Sequence, residues 1–245
     1  FVNGGYTRNN HGGWQGDLTG REKRWHPKDQ ALMNGMFGFQ NRNMNVWYRL
    51  DFLDEKIFGP NNGSELQPEK VSDKDFLTKR YTHQLQSDWK LDNRLDVHAA
   101  LSYQDYKRRT RTTESDLSTG EKWLSSAEAS QDITQYKAWI ARATVAWNIA
   151  PEFSVQPGVE YQWTQGEGGR IDGTPKVSDL AFFLSAEYKP WEWLSLRPGV
   201  RTFIVADYDA PIAIPSVLTK FKLTKHMDLR LSYAYGFRSP TLQEL

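Results

Sequence analysis

Phe153, Val155, Pro157, Val159, Tyr161 and Trp163 are separated one by one by Ser154, Gln156, Gly158, Glu160 and Gln162. In an extended strand successive side chains point to opposite faces, so this segment has one apolar and one polar face. The same alternation runs through residues 95–104, 139–147, 180–188, 194–204 and 217–223. Less regular strands are read at residues 1–6, 31–40, 45–52, 81–90 and 228–236, which brings the total to about eleven. Several reach the roughly 9–11 residues that a tilted strand needs to cross a bilayer.

The connections fall into two kinds. Short turns are read at residues 41–43, 91–94, 149–152, 190–192 and 225–227. Long, mostly polar connections are read at residues 9–30, 54–79, 108–132, 165–177 and 207–214. Short and long alternate without exception, the asymmetry of an outer-membrane barrel with tight periplasmic turns and long extracellular loops. Composition fits only on that reading. The chain is 38% hydrophobic, and a mean hydropathy of −0.70 is too polar for a helical membrane protein. In a barrel only every second residue meets lipid, and the lumen is polar. An open sheet of this size leaves two edges unpaired in lipid, which the bilayer does not tolerate. The expected fold is therefore all-β, an antiparallel transmembrane β-barrel, with about eleven strands forming a portion of a 22-stranded barrel. Residues 1–245 are expected to be one partial barrel domain.

Ten Trp, eleven Tyr and twelve Phe are placed with the same logic. Trp89, Trp147, Phe153, Tyr188, Trp191 and Trp193 lie within a few residues of short turns, while Tyr103, Tyr161 and Trp163 lie near the opposite strand ends. Rings with an apolar body and a polar tip favour the membrane interface, so two girdles are expected. A net charge of +1 gives no basis for nucleic-acid binding. The absence of Cys excludes disulfides, thiolate metal sites and thiol catalysis.

Residues 233–245 read YAYGFRSPTLQEL. Gly236, Phe237, Arg238, Pro240, Leu242, Glu244 and Leu245 resemble the box at which a barrel strand of TonB-dependent outer-membrane receptors passes into an extracellular loop. Ser239 stands where that box usually has Ala. Pro240 ends strand pairing, having no N–H, and Arg238 is suited to a carboxylate partner such as Glu244. The resemblance implies TonB-dependent uptake of a scarce nutrient complex across the outer membrane of a Gram-negative bacterium. Cargo of that family includes iron–siderophore complexes, haem and cobalamin. It also implies that an N-terminal plug carrying the TonB contact, and further C-terminal strands, lie outside this sequence. Expected partners are outer-membrane lipid and lipopolysaccharide, the TonB complex and a small-molecule or metal-chelate ligand, with a surface lipoprotein as a further candidate.

His11, Trp14, Trp25 and His26 share the first long connection and are candidate ligand contacts. Acidic residues at Asp54, Glu55, Glu65, Glu69, Asp73 and Asp75 match no defined calcium loop, and no metal site or cofactor is expected. The basic run 107–111, KRRTR, is read as an outer loop root able to meet lipopolysaccharide phosphates. Asp96, Glu160, Arg197 and Arg201 fall on the lumenal face. The chain is not expected to be an enzyme. Alternatives are a passive porin or saccharide channel, and a barrel-embedded hydrolase using His98 and Ser102.

Overall fold

Alternation sets the architecture. The structure, a computed structural model, describes residues 1–169, 171, 173–205, 208–240 and 242. Among these are twelve strands and no helix: β1 (Val2–His11), β2 (Lys28–Gln40), β3 (Met44–Gly59), β4 (Lys70–Lys90), β5 (Leu95–Asp116), β6 (Lys122–Leu124), β7 (Ile133–Ala150), β8 (Phe153–Glu167), β9 (Lys176–Trp191), β10 (Leu194–Val205), β11 (Ile214–Thr224) and β12 (Met227–Ala234). They form one antiparallel sheet in which eleven strands follow chain order from β1 to β12, with β6 added beside β5. Each neighbour is reached by a hairpin, so the topology is up-and-down.

Register carries the two faces across the sheet. Leu85, Leu101, Ala141, Tyr161 and Leu180 pair in one row. One residue along, Gln86, Ala100, Arg142, Glu160, Ala181 and Phe203 pair in another. The first row belongs to an apolar face that no other part of the described chain covers. Leu101, Tyr161, Phe182, Leu184 and Val217 all stay exposed, and the only buried hydrophobic residues described are Leu53, Val71, Ile171, Val177 and Ala181. A water-soluble sheet of this size would bury one face against a second layer. Here lipid completes the packing, as it does on a barrel exterior.

Aromatic rings gather at both ends of that face. At the short-turn end Phe153 meets Tyr188 edge-on at 6.2 Å, and Trp191 stacks on Trp193 at 5.2 Å. Trp193 continues to Phe221 at 6.2 Å. At the other end Tyr103 packs on Trp139 at 4.4 Å and Phe52 on Tyr81 at 4.8 Å. The register shifts near Asn148, Leu194 and Lys222 all lie at the short-turn end, where bulges tighten the twist into the hairpins.

Several expected boundaries are corrected. The eleven expected strands form the continuous path, and β6 is a twelfth within the stretch read as connection 108–132. The connections read at 54–79 and 108–132 are largely strand, because β3 runs to Gly59, β4 starts at Lys70 and β5 reaches Asp116. Beyond the bilayer neither face needs apolar residues, so the period-two signal vanishes while the hydrogen-bonded ladder continues. Side-chain pairs hold it there: Lys56–Asp75 at 3.2 Å, Lys79–Asp54 at 3.8 Å and the Ser72 hydroxyl donating to Glu114 at 3.1 Å. The basic run 107–111 is accordingly strand β5, with Arg111 paired to Asp75. Asp116 ends the strand by accepting from the Ser118 hydroxyl and from the Ser118 and Thr119 amides, led by the Ser118 hydroxyl bond, which holds its carboxyl below the usual range.

Candidate functional site on the lumenal wall

The polar face of β7 to β10 carries one connected group of side chains. Glu160 of β8 is only 6% exposed, because Arg142 of the neighbouring β7 and Arg201 of β10, reaching across β9, close on it at 2.6 Å each. Gln162 Nε2 donates to the same carboxylate at 2.9 Å. One carboxylate between two guanidinium groups is neutralised and accepts hydrogen bonds from Arg201 and Gln162, as a buried charge requires, while Arg201 Nε is left without a partner. Phe183 lies beneath the two arginines, 5.5 Å from Arg142 and 5.9 Å from Arg201, and Arg201 also stacks over Phe203 at 4.7 Å. Gly158 makes room for this ring. A Cβ there would enter the van der Waals shell of Phe183 Cζ and stand 2.9 Å from Thr144 Cγ2. Gly158→Ala is expected to destabilise the barrel by about 1–3 kcal/mol through overpacking. The check is urea unfolding of the folded receptor in detergent.

The tail after β12 does not leave the wall. It crosses the polar face strand by strand. The Phe237 ring packs 5.5 Å from Phe203 of β10 and 6.2 Å from Tyr208. The Tyr208 hydroxyl donates to Ser239 Oγ at 2.9 Å, and Ser239 Oγ donates to Asp179 Oδ2 of β9 at 3.3 Å. Leu242 Cδ1 then lies where a side chain on Gly166 of β8 would need to be, 2.9 Å from the Cβ position. Ser239, the departure from the usual Ala, supplies the hydroxyl that ties the tail to Asp179. Glu160, Gln162, Asp179, Arg201, Phe203 and Phe237 line a cleft of about 420 Å³ between strap and wall. Asp179 is 8% exposed and its Oδ1 has no hydrogen-bond partner. A carboxylate oxygen in that state favours a donor or cation entering the cleft.

The other expected residues are placed as follows. His11, Trp14 and Trp25 come together: Trp14 and Trp25 exchange backbone hydrogen bonds at 2.9 and 3.0 Å, and their rings meet at 5.8 Å. His11 lies 6.4 Å from Trp25, and its Nδ1 accepts from the Gly13 amide at 3.1 Å. His26 faces elsewhere, toward Gly59 and the cleft beside Lys74 and Phe76. Of the box residues, Gly236, Phe237, Arg238, Pro240 and Leu242 are described, while Glu244 and Leu245 lie outside the described residues. Arg197 pairs with Glu187 at 3.0 Å. His98 Nδ1 bonds Asp88 at 2.8 Å, and Ser102 sits four residues, about 13 Å, further along the strand, so the two do not form a nucleophile–base pair. Among the described residues no cluster of three His, Asp or Glu is arranged to hold a metal. Asp54, Asp73 and Asp75, read as loop acids, are ion-paired in β3 and β4.

Sequence reasoning did not single out Asp179, Phe183, Phe203 or Tyr208. Asp179 carried one signal, its place on the polar face of β9 among Val177, Ala181 and Phe183.

Residues 3–245 match the family model described as TonB dependent receptor-like, beta-barrel. The chain belongs to this family. As a TonB-dependent receptor barrel it is a protein of the Gram-negative outer membrane, and its relatives are receptors and transporters rather than enzymes. The ferric yersiniabactin uptake receptor FyuA from Yersinia pestis has the same fold: the likeness covers 94% of this chain and 40% of FyuA, at 13% identity and a TM-score of 0.54. The ferric citrate transporter FecA in its unliganded form is similar over 90% of this chain and 38% of its own, at 11% identity and a TM-score of 0.49. No curated protein matches the chain in sequence. The chain thus spans well under half the length of these structures. In a TonB-dependent receptor barrel the two edge strands, β1 and β12, sit in lipid only when paired.

Proposed function

We propose that this chain is the wall of the uptake path in a TonB-dependent receptor for a scarce nutrient complex, of the iron–siderophore, haem or cobalamin kind. On this reading residues 1–245 form part of a closed barrel. Its remaining strands and an N-terminal plug contacting the TonB complex are supplied by the same protein.

The observation that carries the proposal is the strapped lumenal cleft. A passive channel needs a polar lining. A tail tied across three strands, roofing a cleft with one unmatched buried acceptor, is a construction for holding something. The grouped rings of His11, Trp14 and Trp25 in the first outer loop support a ligand with a flat or aromatic surface. FyuA is named for uptake of a ferric chelate, which favours an iron complex among the candidate cargoes.

The test is growth of an outer-membrane-receptor-deficient strain carrying the full-length receptor, given single ferric siderophores, haemin or cobalamin under limitation. One cargo is expected to restore growth, and only with TonB present. Trp14→Ala combined with Trp25→Ala is expected to raise the concentration needed by about tenfold, the effect of losing two aromatic contacts. Growth that persists without TonB would instead support a passive channel.

A further inference from the structure

Charge is shared unevenly around the cleft between tail and wall. Glu160, Asp179 and Arg201 are the charged groups that line it. Glu160 holds both arginines, Arg142 and Arg201, at 2.6 Å each. Asp179 holds neither. Its partners across the ladder are Gln162 of β8 and Val205 of β10. The Gln162 amide is turned away from it, to Glu160 at 2.9 Å. Arg201 is four residues, about 13 Å, along β10 from Val205 and is committed to Glu160. What reaches Asp179 is a neutral donor: Ser239 Oγ bonds Oδ2 at 3.3 Å, and Oδ1 has no partner. A carboxylate only 8% exposed is costly to keep without a counter-charge. The cleft is therefore shaped around a positive group that neither the tail nor the wall provides.

The rest of the lining says what kind of cation fits. Phe203 of the wall and Phe237 of the tail meet at 5.5 Å beside Asp179 and Ser239. Aromatic faces attract organic cations through their quadrupole, and Arg201 already stacks on Phe203 in this way at 4.7 Å. A bare metal ion is poorly served. Calcium and magnesium take roughly six or more oxygen ligands, and here aromatic carbon stands where those oxygens would have to be. Among the described residues no three His, Asp or Glu gather to hold a metal. A volume of about 420 Å³ suits a small organic group rather than a single ion.

We infer that the strapped cleft binds an organic cation, an ammonium or guanidinium group that donates to Asp179 Oδ1 and packs against Phe203 and Phe237. Such a donor makes a charge-assisted hydrogen bond with the carboxylate, and its carbon stem is covered by the rings. Asp179 and Phe203 come from the wall, Phe237 and Ser239 from the tail, so the bound cation also fastens one to the other. This rests on the reading of the cleft as part of the uptake path, and it narrows the cargo to a complex that carries an ammonium or guanidinium group.

The experiment is a ligand-observed NMR titration of the full-length receptor in non-ionic detergent with methylguanidinium chloride. Methylurea, the same shape without the charge, is the paired probe. Methylguanidinium is expected to saturate one site and methylurea to bind at least about tenfold more weakly, given the strength of charge-assisted bonds. Asp179→Asn keeps an acceptor for Ser239 and removes the charge, and is expected to weaken methylguanidinium binding at least about tenfold. Phe237→Leu is expected to weaken it about threefold through the lost ring face. Lys220→Gln, at the short-turn end, is expected to bind as the wild type does. Heat-modifiable gel mobility confirms that each variant is folded. The readout needs neither TonB nor a known cargo, so it fails or succeeds separately from the growth test. Equal binding of methylurea, or undiminished binding by folded Asp179→Asn, overturns the inference. So does displacement by equimolar calcium chloride, which would make this a metal site. No saturable binding to the wild type overturns it too, since another side chain of the receptor would then fill the cleft.

Discussion

Glu160→Ala is expected to lower the stability of the barrel by about 2–3 kcal/mol, the largest loss for any single side chain on the lumenal wall. Removing one partner of a buried ion pair costs about 3–5 kcal/mol, mostly from the charge left behind. Here two charges are left. Arg142 and Arg201 both point at the space the carboxylate vacates, and each approaches it at 2.6 Å now. The figure is reduced because the Arg142 side chain is 50% exposed and turns readily to water, while Arg201, at 28%, does not. Arg201 then loses its hold over Phe203, and with it the support on which Phe237 of the tail packs. Urea unfolding in detergent micelles, followed by Trp fluorescence, reads the loss. Combining Glu160→Ala with Arg201→Ala is expected to cost less than the sum of the two single changes, since the second removes the stranded charge. An unchanged midpoint for Glu160→Ala would mean that lumenal water solvates both arginines.

Leu184→Arg is expected to cost about 2–4 kcal/mol, the penalty for a cation on the lipid face at the bilayer midplane. Leu184 lies midway along β9, between Tyr188 near the short turns and Ser178, which pairs with Trp163 near the opposite strand end. The neighbouring change Ser185→Arg is the internal control. It adds the same cation one residue away on the polar face, where Ser185 pairs with Gln156 and Gly199, and is expected to cost less than about 1 kcal/mol. Equilibrium unfolding from lipid vesicles measures both. If the two changes cost the same, the assignment of faces is wrong and lipid does not cover the apolar side.

The contrast between these neighbours reflects what was readable from the chain. Strict alternation at residues 153–163 marks a strand with two different faces because lipid and lumen place opposite demands on successive positions. That demand ends at the headgroups. Residues 70–78 and 108–116 continue as strand with mostly polar side chains and no period-two alternation, so the pattern read there as connection although the backbone ladder runs on. The lumenal site divides the same way. Glu160 and Arg201 were readable as lumenal charges, being on the polar face of their strands. That they share one ion pair follows from the register of β8, β9 and β10, which no spacing within one strand reveals.

The sequence by itself determined the strand periodicity, the alternation of short turns with long connections, the gathering of aromatic residues near the strand ends and the family box of the tail. All of these are local consequences of a thin apolar slab pressing on an extended chain. Only the tertiary structure decided where that box goes. Ser239 reaches Asp179 across 60 positions of sequence, and Leu242 fills the space left by Gly166. Contacts of that kind depend on how neighbouring strands are staggered and where the chain turns back over them. The hydrogen-bond register and the close packing of the folded sheet set both, and neither leaves a period in the sequence.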